Sequence, residues 1–147
     1  MYEVKEEQKN FYELLKNNAI DNEECYNFYQ YKGNDKNVIK LSRKDVLEKS
    51  MEVAKELKAK GAKKGDRVIV FSTQTPDNIF SVVGSMLAGT IFTIIPPPID
   101  ANKIDRLKSV VNSCNPKYVL CGNVTFSLVS NVLARDEFSN NPIDIVN

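Results

Sequence analysis

From Val68 to the end, the chain repeats one pattern: a short unbroken apolar run, a stretch at helical spacing, then a proline or glycine that ends it. The runs are Val68-Ile69-Val70-Phe71, Ile91-Phe92-Thr93-Ile94-Ile95 and Tyr118-Val119-Leu120-Cys121. A strand that is apolar on both faces must be covered on both, which is the habit of parallel sheets. The stretches between the runs read as helices. One starts at Thr75-Pro76, with Thr75 as cap and Pro76 at the first helical position, and runs to about Ala88 before Gly89. The next is capped by Asn102, carries Ile104, Leu107, Val110 and Val111, and breaks at Asn115-Pro116. The third follows Gly122-Asn123 with Phe126, Val129, Val132 and Leu133, and Ile143-Asp144-Ile145-Val146 begins a fourth strand. Alternation with short connections predicts an α/β fold, a mostly parallel sheet with flanking helices joined by right-handed crossovers.

Residues 1–60 read differently: a helix, a short hairpin and a second helix. Phe11, Leu14 and Leu15 give helical spacing to Gln8–Asn18. Tyr26, Phe28 and Gln30 alternate with Asn27, Tyr29 and Tyr31 as a strand, Gly33-Asn34-Asp35 turns, and Val38–Leu41 returns. Ser42 and Asp45 resemble a capping box ahead of a stripe made by Val46, Leu47, Met51, Ala54 and Leu57. Lys58, Lys60 and Lys63 suit the negative end of that helix, and Gly61 suits its left-handed cap. Residues 61–147 form the alternating layer, and the two parts belong to one unit.

Several function classes are excluded. The chain has no histidine, which removes Ser-His-Asp and Cys-His sites and any His-ligated metal. Cys25, Cys114 and Cys121 are an odd, widely spaced set with no CxxC pair; Cys114 and Cys121 lie in apolar runs and read as core. Twenty basic against 19 acidic residues leave a net charge of +1, no basis for binding nucleic acid or an anionic membrane. The longest apolar stretch, Ile91 to Ile99, is broken by three prolines and is short of a membrane span. The charged N-terminus lacks an apolar signal core, so a cytoplasmic protein is expected.

Ligands of open parallel sheets bind beyond the carboxyl ends of the strands. Here those loops are Ser72-Thr73-Gln74-Thr75, Pro96-Pro97-Pro98-Ile99 and Gly122-Asn123, of which only the first is rich in polar side chains beside a helix start. Pro76 removes one N–H there and no glycine is present, so capping explains the loop better than anion binding. Gly84 and Gly89 have the spacing of a phosphate loop's outer glycines, but the residues between read as helix and no Lys-Ser/Thr follows. Gly84 is expected to let its helix approach the sheet. Gly65-Asp66-Arg67 reads as the polar lead-in to Val68, with an Asp66–Arg67 ion pair as the other reading.

The order of these segments resembles the start of the acyl-adenylating superfamily: acyl-CoA synthetases, luciferases and the adenylation domains of nonribosomal peptide synthetases. The residues that carry it are Leu41–Val46, Ala54–Gly61, Lys64-Gly65-Asp66-Arg67-Val68, the Thr75-Pro76 helix and Leu87-Ala88-Gly89. Ile95-Pro96-Pro97-Pro98, Arg106-Leu107 and Asn115-Pro116-Lys117-Tyr118 are similar to fatty-acyl-AMP ligases, the loading domains of some polyketide and hybrid peptide assembly lines.

The resemblance implies an N-terminal subdomain piece of an enzyme in which a fatty carboxylate attacks the α-phosphate of ATP, with Mg2+, giving acyl-AMP and pyrophosphate. The acyl group would then pass to an acyl carrier protein thiol. The family's Ser/Thr/Gly-rich phosphate loop, aromatic-Thr-Glu motif, ribose-binding Asp and C-terminal catalytic lysine have no counterpart here. No catalytic, cofactor-binding or metal-ligating residue is therefore assigned, and the expected partner is the remainder of the adenylation domain. The last strand, with no helix to close it, reads as a cut in a longer protein, so the chain alone is expected to be inactive. The alternatives are a piece of an acyl-CoA synthetase or amino-acid adenylation domain, or a self-contained non-catalytic α/β binding domain.

Overall fold

The computed structural model describes residues 10–19 and 24–147. Helix α1 spans Phe11–Asn18, so the expected start at Gln8 lies outside the described residues. Strands β1 (Glu24–Lys32) and β2 (Asp35–Ser42) pair antiparallel, Phe28 opposite Ile39, around a turn in which Gly33 takes φ +62°. Helix α2 (Arg43–Ala59) opens with the expected capping box: Asp45 N–H donates to Ser42 Oγ at 3.1 Å and Ser42 N–H to Asp45 Oδ2 at 2.7 Å. Gly61 follows α2 at φ +89°, where a side chain would be strained, as expected of its cap.

The remaining elements are β3 (Arg67–Phe71), α3 (Pro76–Leu87), β4 (Ile91–Ile95), α4 (Ala101–Cys114), β5 (Tyr118–Leu120), α5 (Asn123–Leu133), a 3-10 turn at Asp136–Phe138, and β6 (Asp144–Val146). The four strands form one wholly parallel sheet in the order β4-β3-β5-β6. The expected strand at Ile143–Val146 is present, paired with β5.

Pleating divides the core between two faces. Val68, Val70, Tyr118 and Leu120 point to one side, where Leu57 of α2 and Val82 of α3 cover them. Ile69, Phe71 and Val119 point to the other, against Leu107 and Val111 of α4 and Val129 and Val132 of α5. Val68, Ile69 and Val70 are 0% exposed, and each such side chain contributes about 1.5–3 kcal/mol on burial. The result is three layers, helices on both faces of a parallel sheet.

Four local readings need correction. The cap of α4 is Asp100, not Asn102: Lys103 N–H donates to Asp100 Oδ1 at 2.9 Å, so the helix starts earlier. Thr75 occupies the N-cap position of α3 but makes no side-chain cap; its hydroxyl instead meets Thr73 Oγ1 at 2.8 Å. Gly84 lets α3 approach helix α2 rather than the sheet, since a Cβ there would lie 2.7 Å from Val53 Cβ and 2.8 Å from the Ser50 carbonyl oxygen. Phe126 stands 40% exposed beside Val124 at 92%, so the covered face of α5 is narrower than the apolar pattern implies. Cys121 is buried as expected, and burial pushes its thiol up to about 11. Cys114 is only half-buried.

Candidate functional site

The sheet changes direction at β3. The chain leaves it for β4 on one side, then returns to lay β5 on the other. Such a switch point opens a crevice where α3 and α5 begin, beyond the carboxyl ends of β3 and β5. Two of the three expected loops meet there. Ser72–Thr75 leads into α3 and Gly122-Asn123 into α5. A Cβ on Gly122 would lie 2.8 Å from Asp77 Oδ2, so the bare glycine lets the two helix starts draw together. The third loop follows the neighbouring strand β4, whose last residue, Ile95, accepts a hydrogen bond from Ser72 N–H of the first loop at 2.8 Å; its Pro98 is fully buried.

The hairpin supplies a wall that the sequence pattern did not reveal. Gln30, Ile39 and Lys40 face Thr75, Asp77 and Phe80 of the α3 start and Asn123 of α5 across a cleft of about 570 Å3, with Asp45, Glu48 and Lys49 of α2 between them. Its electrostatics do not suit a polyphosphate. Three carboxylates, Asp45, Glu48 and Asp77, line it against two amines. Both amines are engaged, Lys40 with Glu24 at 2.8 Å and Lys49 with Glu52 at 2.9 Å. Those partners raise the pKa of each amine, and the hydrogen bond from Ser42 N–H lowers that of Asp45.

No nucleophile–base pair assembles in the crevice. Thr73 and Thr75 bond one another at 2.8 Å, the Thr75 hydroxyl reaches the Asp77 carboxylate only through a long hydrogen bond of 3.4 Å, and the chain offers no histidine to activate either. Among the described residues no three Cys, Asp or Glu side chains gather as metal ligands. The donor set of the crevice therefore does not fit Mg-ATP. Asn78 Oδ1, in the first turn of α3, is buried without a hydrogen-bond partner among the described residues.

At the opposite end of the sheet, Asp66 makes the ion pair left open by the sequence, but with Lys117 at 2.7 Å rather than Arg67. Arg67 turns to the end of α4 and donates to the carbonyls of Cys114 and Asn115 at 2.9 and 3.0 Å. Lys117 and the Lys63 backbone hold the Asp66 carboxyl below the usual carboxylate range. These contacts join the lead-ins of β3 and β5 and are structural. Among the described residues, no helix is long and apolar enough to cross a membrane.

Comparison with known proteins follows the same outline. The family model of AMP-binding enzymes matches residues 21–144. A search of curated proteins finds no match. The fold is shared with the crystal structure of a fatty acid AMP ligase from Legionella pneumophila, with TM-score 0.75 and 22% identity over 85% of this chain. It is also shared with fatty acyl-adenylate ligase from L. pneumophila in complex with acyl adenylate and pyrophosphate, with TM-score 0.73 and 20% identity over 97% of this chain. ATP-bound MatB from Rhodopseudomonas palustris gives TM-score 0.58 and 17% identity over 73%. The chain spans 22%, 24% and 20% of these three structures respectively.

Proposed function

The chain belongs to the AMP-binding enzyme family, and from that premise we propose that it forms the N-terminal layer of a ligase that makes fatty acyl-adenylates. The observation that carries the reading is the TM-score of 0.75 to a fatty acid AMP ligase, against 0.58 to MatB. The proline-rich turn at Pro96–Pro98 supports the same subfamily.

In the intact enzyme a carboxylate oxygen of the fatty acid attacks the α-phosphorus of ATP. The bond to the bridging oxygen breaks, and pyrophosphate leaves with that bond's electron pair. Acyl-AMP then yields its acyl group to an acyl carrier protein thiol in the cytoplasm, as in the loading steps of polyketide and nonribosomal peptide synthesis. Mg2+ would neutralise phosphate charge as it builds on the leaving group. This chain's contribution is positional. Its two-faced sheet forms a rigid layer, and the ends of β3 and β5 present one wall on which the rest of the adenylation domain is assembled.

A chimera tests this. Residues 10–147 replace the matching segment of the L. pneumophila fatty acid AMP ligase, and acyl-AMP is measured with ATP and dodecanoate. The folded chimera is expected to form acyl-AMP. A chimera that melts cooperatively yet makes no acyl-AMP contradicts the reading.

A further inference from the structure

A second recess lies at the other end of α3. Tyr12 of α1 closes one side, Met51 and Ala54 of α2 and Leu87 of α3 form the walls, and Lys55 and Lys58 stand at the rim, around a cavity of about 350 Å3. The switch-point crevice is at the start of α3 and this recess at its last turn, so the two are separated by the length of the helix.

The chemistry of the lining is lopsided. The walls are apolar, and no carboxylate is among them. Two acidic side chains of α2 are drawn off to other lysines, Glu48 to Lys44 at 4.0 Å and Glu52 to Lys49 at 2.9 Å, while Asp45 is held in the capping box and Glu56 lines a different crevice. Lys58 Nζ donates to the Ala62 carbonyl at 3.3 Å, just beyond the C-terminal end of its own helix. Lys55, among the described residues, makes no ion pair or hydrogen bond through its amine, although its stem lines the recess. An apolar recess of ligand size with a few polar groups at its mouth is the usual form of a small-molecule site. Here the unmatched polar charge is positive. Helix α1 covers the recess without burying any of its own residues, so its contact leaves room for an occupant.

We propose that this recess binds a small amphiphilic carboxylate, its apolar body against Met51, Ala54 and Leu87 and its anionic end at Lys55. The proposal does not depend on the adenylation reading, because it concerns the other end of the sheet and needs no nucleotide.

The test is titration calorimetry of the purified chain with decanoate below its micellar concentration, and with decyltrimethylammonium as the cation of matched length. Saturable one-to-one binding of decanoate, with none of the cation, is expected. Lys55→Glu, on the exposed side of α2, is expected to weaken binding at least about tenfold, the effect of turning an attraction into a repulsion. Lys55→Arg should retain it within about twofold, since the charge is kept. Ala54→Phe fills the recess and should abolish binding, and its melting curve shows whether the fold is intact. Absent decanoate binding, equal binding of the cation, or binding unchanged in Lys55→Glu would overturn the proposal. So would a dimer, seen by light scattering, that Ala54→Phe dissolves, for that would give the recess to a second copy of the chain.

Discussion

The hairpin and the sheet layer both use alternating and apolar strands, but they bury them differently. In β3 the residues Val68, Ile69 and Val70 are 0% exposed, because α2 and α3 cover one face and α4 and α5 the other. In β1, Tyr29 and Tyr31 stand 53% and 69% exposed, with Lys36 Nζ lying 4.3 Å above the Tyr29 ring. Only one face of the hairpin has a helix beside it. An antiparallel pair tolerates a wet face because every second residue can be polar, whereas a parallel strand between two helical layers cannot. Helix α2 joins the regions. Its capping box ends the hairpin, and its Leu57 enters the core beneath the sheet. The layer thus holds the stability, and the hairpin leans on it as one wall of the crevice.

The sharpest way to break this comparison is to put the same carboxylate in both regions. Val70→Asp places an unpaired charge where no water reaches, at a cost of several kcal/mol, and should leave the chain without a cooperative thermal transition. Tyr31→Asp should melt like the wild type. A normal melt for Val70→Asp would mean that β3 is not the centre of the core.

Glycine substitutions refine it. Gly84→Ala drives a methyl group into Val53 and the Ser50 carbonyl, which are held by the α2–α3 contact. A loss of about 1–3 kcal/mol is expected from overpacking, against the gain of about 1 kcal/mol that alanine gives on an open helix face. Gly122→Ala meets only the end of the exposed Asp77 side chain, which can turn away, so its Tm should move less. Chemical denaturation of both variants reads the difference, and equal losses would contradict the close helix contact. At the junction, Ser42→Ala removes one half of the capping box and should cost about 1 kcal/mol, with circular dichroism reporting the loss in α2.

The smallest effect is expected from pH. Asp45, Asp66 and Asp100 are each held below the ordinary carboxylate range: by hydrogen bonds from Ser42, by Lys117 with the Lys63 backbone, and by Lys103. The folded state therefore favours their charged forms. Their stabilisation is complete above the usual value of about 4 and is lost as pH falls through the lower folded values. Thermal melts should stay level from neutral pH to about 5 and decline below it, less steeply in Asp66→Asn. A flat profile into strong acid would show that these bonds do not form.

How much of this was legible in the sequence follows the distance over which each feature is decided. The Ser42–Asp45 box and the Gly61 cap are set by a few neighbouring residues, and the pattern revealed both. The α/β class follows from strands apolar on both faces. Asn102 and Asp100 are both competent caps, and only the turn after Pro98 decides which one opens α4. Partners far along the chain left no signal. Nothing beside Asp66 points to Lys117, and nothing beside Gly84 distinguishes the Val53 side of α2 from the sheet. The crevice was half legible. The parallel topology places its loops, while the hairpin wall depends on how β1 and β2 lean, a tertiary matter that periodicity does not encode.

The central proposal is that this layer supports adenylation without performing it; its crevice is lined by three carboxylates and two amines, both amines already paired. Exchange of labelled pyrophosphate into ATP by the purified chain, across fatty acids of several lengths, tests that claim most directly. No exchange above the protein-free background is predicted. Robust exchange, abolished by a substitution within the chain such as Asp77→Ala, would contradict it.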